Sequence, residues 1–323
     1  MNYLSALLNT ELKLLFLIAI GIFFKKVKLI TSELKKGATD LVINIILPFN
    51  IISSFVSGIN MSSQLLTNCL LALLVGSIVE VLVVLLSPIV FGKFTDDQRR
   101  VMTYGMICPN SSFIGIPMAE AVFGSIGVMY VCIAQTPIRL VMWSIGLGQF
   151  TTKGQSSEDK EQMKDLMKQA ILKTIKHPCI IALVIGIILM LLPIKLPTFA
   201  LDTINSIGKC TVPVSMIIVG AILADVKPNS IMSKPVVVFT LFRLIITPLA
   251  ILIPMYLLKA DAALTGSLVI LFGLSAGGTM PILAEKYDTD AEFASKALLI
   301  TTALAMLTLP GLVVLMSYLF NFS

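Results

Sequence analysis

Two short stretches of this 323-residue chain set polar donors beside helix breakers inside otherwise apolar segments. The first reads Cys108-Pro109-Asn110-Ser111-Ser112-Phe113-Ile114-Gly115-Ile116-Pro117, and the second Leu274-Ser275-Ala276-Gly277-Gly278-Thr279-Met280-Pro281. The amide and hydroxyls of Asn110, Ser111, Ser112, Ser275 and Thr279 are the donor types that suit a carboxylate. A helix restarting after each break adds free backbone amides and the positive end of its dipole. Pro117 and Pro281 remove backbone donors while Gly277 and Gly278 loosen the helix, which frees backbone groups that lipid cannot satisfy. Such backbone belongs around a protected cavity. Tight helix crossing through small residues also explains the glycines and serines, but not a proline at both places.

Further candidates lie on neighbouring segments. Asn44 and Lys209 stand 165 positions apart beside Pro48 and Pro213, and a cation at Lys209 attracts an anionic substrate, neutralises Glu80 or snorkels to the interface. Glu80 falls near the middle of an apolar run, where an unpaired ionised carboxylate is costly, so it is protonated, paired or in a water-filled cavity. Each state suits an ion-coupling group. Arg139 is expected either to bind an anionic ligand or to pair with Glu80.

The elements that position these residues follow from composition. The chain is 57% hydrophobic and 13% charged, with a mean hydropathy of +0.96, too apolar for a water-soluble core. It reads as an all-α polytopic membrane protein with ten apolar runs near the ~20 residues that cross a bilayer. They cover roughly 4–24, 39–58, 65–91, 101–123, 127–150, 178–193, 203–224, 235–258, 262–284 and 297–320. With the N-terminus outside, eighteen of the 24 basic residues fall in inside loops and only Lys195 and Lys259 in outside loops. Both termini are therefore expected outside a plasma (inner) membrane. The net charge of +6 follows from this bias and from attraction to anionic lipid, so no nucleic-acid partner is inferred.

The second half echoes the first. Pro48 and Pro213 are 165 positions apart, Pro117 and Pro281 164, and Pro88 and Pro254 166. Repeats of five spans must run in opposite directions, so the expected organisation is an inverted pair: 1–150, a cytoplasmic linker 151–177, and 178–323. The broken helices are spans four and nine, and such matched interruptions mark secondary transporters that bind near the bilayer midplane. Within the linker, Met163, Leu166, Met167, Ala170, Ile171 and Thr174 follow helical spacing and read as an interfacial amphipathic helix.

No cofactor, metal or enzymatic activity is expected. The five cysteines are scattered singly without metal-ligand spacing, and the only histidine, His177, closes the linker before Pro178. No paired aspartates or zinc pattern lies in any span.

The Pro-Asn-Ser-Ser-Phe-Ile-Gly-Ile-Pro run at 109–117, the Ala-Val-Phe-Gly at 121–124 and the segment from Thr301-Thr302 to Pro310 resemble bacterial members of the auxin efflux carrier family. That family includes plant auxin exporters and prokaryotic malate or malonate permeases. The resemblance implies crossed broken helices four and nine, separate scaffold and transport domains with an elevator-like motion, and a homodimer. It also maps a carboxylate-contacting asparagine onto Asn110; where relatives carry a second asparagine, this chain has Phe113 to Gly115. The expected activity is secondary transport of small organic anions, carboxylates such as malate or auxin-like acids, coupled to protons or sodium. The alternatives are a sodium- or proton-coupled cation exchanger and a non-transport membrane sensor.

Overall fold

The structure is a computed structural model that describes residues 3–56, 62–151, 168, 171–172, 174–192, 196–224 and 233–320. Most of the linker expectation, including Met163, Leu166, Met167 and Ala170, lies outside the described residues. Among the described residues the chain is helical, without strands. Among the same residues, six helical stretches, two of them (Ser111–Phe150 and Thr198–Leu223) each divided into two helices, are long and apolar enough to cross a membrane, as in a multi-pass membrane protein.

In chain order the helices are α1 (Tyr3–Lys26), α2 (Ser32–Val56), α3 (Ser63–Val90), α4 (Asp96–Ile107), α5 (111–123), α6 (125–151), α7 (Pro178–Leu191), α8 (Thr198–Gly208), α9 (Thr211–Leu223), α10 (Lys234–Leu257), α11 (Ala262–Phe272), α12 (Thr279–Lys286) and α13 (Ala291–Leu319). Several begin earlier than hydropathy alone places them. Thr95 caps α4 by accepting from the Gln98 amide, and Asp290 caps α13 by accepting from the Phe293 amide, so polar first turns join each apolar run. Between α5 and α6 the chain reverses at Gly124, with φ +63° and ψ −150°, a conformation open essentially to glycine alone.

Two groups of helices result. In one, α1 lies along α9, and α2 packs against α7 and α8. The α1–α9 seam is tight because a Cβ added at Gly21 would overlap the Ile217 carbonyl, and one at Gly220 the Ile18 carbonyl. Asn50 Nδ2 donates to the Gly208 carbonyl at 3.2 Å and ties α2 to α8. In the other group α3, α4, α5, α6, α10, α11, α12 and α13 pack on one another, with a satellite apolar cluster of Tyr104, Phe150, Phe239, Met280 and Phe293. Single π-helical turns interrupt α2 (Val42–Ile46), α6 (Met142–Gly146) and α10 (Phe242–Ile246), and another opens α5 (Ser111–Gly115). Such turns bend a helix and re-aim its side chains.

Candidate binding site at the crossed helix breaks

The two interrupted stretches meet. Pro109 forces Cys108 out of helical geometry, to φ −105° and ψ 92°, and α4 ends there. The chain then runs beside residues 275–277 as an isolated antiparallel bridge between Pro109 and Ala276. The Asn110 amide donates to the Ser275 carbonyl at 3.0 Å, and the Gly277 amide donates to the Cys108 carbonyl at 2.7 Å. Each break thus satisfies backbone groups that the other frees, as a low-dielectric interior demands. Gly277 permits the approach: a Cβ there would stand 2.5 Å from Cys108 Sγ. Thr301 Oγ1 on α13 accepts from the Ala276 amide at 3.3 Å and steadies the second break.

Beside the crossing lies a cavity of about 430 Å³, large enough for a small organic molecule. One wall comes from the breaks themselves, with Asn110, Ser111, Ser112, Gly277, Gly278 and Thr279. α6 adds Gln135, Arg139 and Trp143, and α13 adds Thr302. The opposite wall belongs to the other helical group, with Thr39 and Ile43 of α2, His177 at the start of α7, and Val219 and Ile222 of α9. Among the described residues no aspartate or glutamate lines it.

The polar groups here are unevenly engaged. Asn110 precedes α5 without capping it by its side chain, and the side chains of Asn110, Ser111 and Ser112 hydrogen-bond to none of the described residues. The Thr279 hydroxyl is committed to Tyr104 Oη at 2.8 Å and to Cys108 Sγ at 3.4 Å. Arg139 is 7% exposed; one terminal nitrogen donates weakly to Gln135 Oε1 at 3.4 Å, while its buried Nε has no partner among the described residues. α5 and α12 both start at the crossing, so their positive dipole ends lie there as well. His177 caps α7 through Nδ1, which accepts from the Cys179 amide at 3.2 Å. Burial and then the Arg139 charge push its imidazole down to about 4, so it is neutral at physiological pH.

Not every sequence-level candidate reaches the cavity. Pro117 is buried inside α5, and Pro281 is the third residue of α12, where a missing amide leaves no intrahelical bond unmade; both shape the breaks without lining the cavity. Ser275 is fully buried behind the bridge, with its hydroxyl unpartnered. Asn44 and Lys209 are exposed and away from the cavity. Glu80 does not face Arg139. It lies buried on α3 outside the cavity, and the charge it feels is that of Arg243 on α10.

Arg243 is the residue that sequence reasoning missed. It is fully buried; Nε donates to the Leu274 carbonyl at 2.8 Å and one terminal nitrogen to the Met106 carbonyl at 2.6 Å, so one side chain grips the backbone of both breaks. A lone arginine in an apolar run signals this poorly, since its partners are carbonyls 31 and 137 positions away. Among the described residues no cluster of three His, Cys, Asp or Glu could hold a metal ion.

The comparisons with known proteins agree with this architecture. An uncharacterized transporter of the archaeon Methanocaldococcus jannaschii is 23% identical over 319 residues, an alignment that covers 94% of this chain and 96% of that protein. The family model described as "Membrane transport protein" matches residues 7–313, nearly the whole chain and both helix breaks. This chain belongs to the membrane transport protein family, the family of the auxin efflux carriers, and is a membrane transporter.

Proposed function

We propose that this protein is a secondary active carrier of small organic anions, carboxylates such as malate or auxin-like acids. The observation that carries the reading is the convergence, in one cavity, of the free side chains of Asn110, Ser111 and Ser112, the N-terminal ends of α5 and α12, and the underused Arg139. Every one of these is a donor or a positive charge, and charge-assisted donors are what a carboxylate requires once it leaves water. A cation exchanger needs acidic side chains at the same place, and among the described residues the lining has none.

The cavity lies between the two helical groups, which supports alternating access by an elevator-like movement of the crossover-bearing group along the other. On the scaffold side and on α13 its lining comes from the third and fourth turns of α2 and α13, the last turns of α9, and His177 just ahead of α7. All of these point to the side that carries the lysines at 25, 26, 28, 93 and 286. With basic loops retained in the cytoplasm, this is an inward-facing arrangement with both termini outside. The ten-span reading, with inverted repeats 1–150 and 178–323 joined by the linker 151–177, accounts for the crossing as a pseudo-twofold feature.

The test is thermal stability of the purified protein against malate, malonate, indole-3-acetate and a non-acidic analogue of each, because a ligand that binds only the folded state raises the midpoint. Counterflow of the active acid in proteoliposomes must accompany the shift. Stabilisation without counterflow would make the protein a sensor, and no shift with any acid would end the anion reading.

A further inference from the structure

Arg243 occupies a position that calls for a cation. Met106 contributes one of the last four carbonyls of α4, and Leu274 stands just past the end of α11, so both carbonyls sit at the negative ends of half-helix dipoles. In carriers built from broken helices, unwound carbonyls and half-helix C-terminal ends of this kind coordinate the coupling cation. Here the guanidinium already donates to both, at 2.6 Å and 2.8 Å, and neither Arg243 nor the two carbonyl residues line the anion cavity.

We propose that the Arg243 guanidinium is a tethered cation, standing in the place of a free monovalent ion, that locks the two breaks together outside the cavity and makes the site independent of sodium. Arg243 is thus a positioning residue: it touches the backbone that presents Asn110 and Thr279, not the anion. Glu80 is the buried carboxyl on which the Arg243 charge acts: it is 1% exposed, and among the described residues its oxygens have no hydrogen-bond partner. Glu80 and Arg243 are 163 positions apart, within three of the spacing of the proline pairs, so the carboxyl and the guanidinium stand near corresponding places in the two halves.

Among the described residues the hydroxyls of Thr103, Thr240 and Ser275 are buried without partners, each within a turn along the chain of Met106, Arg243 or Leu274, and the second terminal nitrogen of Arg243 is unpartnered as well. Removing the side chain would leave the Met106 and Leu274 carbonyl oxygens without their cation in a buried interior, where a free monovalent cation can take its place. The proposal deepens the anion-carrier reading only in saying what holds the breaks, so its test contains no acid.

The melting midpoint of the purified full-length chain is measured in choline, potassium and sodium chloride at equal ionic strength. The native protein is expected to melt alike in all three; a saturable, sodium-selective rise would overturn the proposal. Arg243→Ala is expected to melt lower and to recover, with saturation, on adding millimolar methylguanidinium or sodium, while Arg139→Ala gains nothing from either. Failure of both cations to restore Arg243→Ala would reduce the arginine to a packing role. Should Arg243→Ala not fold, the sodium titration of the native chain decides alone. An absent response to carboxylates alongside a positive cation rescue would sink the anion reading and leave the tethered cation standing.

Discussion

Replacing Asn110 by alanine separates ligand binding from folding, because this asparagine holds the break through its backbone and offers its side chain to the cavity. The backbone bonds, from its amide to Ser275 and from the Ile114 amide to its carbonyl at 3.2 Å, survive the change. Its φ of −78° and ψ of 57° form an inverse γ-turn that alanine also adopts. The side chain bonds to none of the described residues, so the stability of the free protein should move by less than about 0.5 kcal/mol. A bound carboxylate loses one charge-assisted hydrogen bond, about 1.5–3 kcal/mol. That corresponds to roughly ten- to a hundred-fold weaker binding. The assay is equilibrium binding of the acid that gives the largest melting shift, measured by calorimetry on native and variant protein of equal folded fraction. Unchanged affinity would refute the assignment, as would a fall in affinity matched by a fall in folded protein.

Three other outcomes follow from the same geometry. Arg139→Gln keeps a donor but deletes the charge, and should weaken carboxylates about ten-fold or more while leaving uncharged analogues unaffected, read by the same calorimetry. Gly124→Ala places a Cβ where only glycine is at ease and should cost about 1–3 kcal/mol, seen as a lower melting midpoint and reduced folded yield; native-like melting would show that the corner relaxes. His177 is neutral above pH 5, so His177→Gln should leave the pH profile of binding flat between pH 5 and 8, and loss of an inflection in that range would contradict it. The unfolded chain takes up a proton at His177 near pH 6.5 and the folded chain only near 4, so the stability it contributes is complete above about 6.5 and declines as pH falls toward 4.

The breaks were legible because proline, glycine and clustered small polar residues are conspicuous in apolar sequence, and because each recurs at nearly the same offset. Asn110, Ser111 and Ser112 could be picked for their donors, and the structure puts them on the cavity wall. The charge partnerships were not legible. Periodicity identifies a buried cation but not which backbone carbonyl it reaches, so Arg139 was the evident companion for Glu80, whereas the charge that acts on Glu80 is that of Arg243, set in a π-helical turn of α10 with no sequence signature. Lys209 and Asn44 share the offset of the prolines, yet offset fixes only equivalence between halves and not which face of a helix is turned inward. Helix starts were placed late at α4 and α13 because hydropathy discounts polar first turns, although Thr95 and Asp290 carry the capping signal.

The antiparallel bridge between the breaks bears on how the chain is made. Asn110 and Cys108 emerge from the ribosome well before their partners Ser275 and Gly277, which are 165 and 169 positions further along. At roughly 5–20 residues per second, the first break waits on the order of 10–30 s in the membrane with an open amide and carbonyl. During that interval it depends on water or on the insertion machinery, so the first half alone is an incomplete folding unit. A nascent chain stalled before residue 275 should therefore be held at the translocon or degraded, while one that has passed Gly277 can close both breaks in a single step.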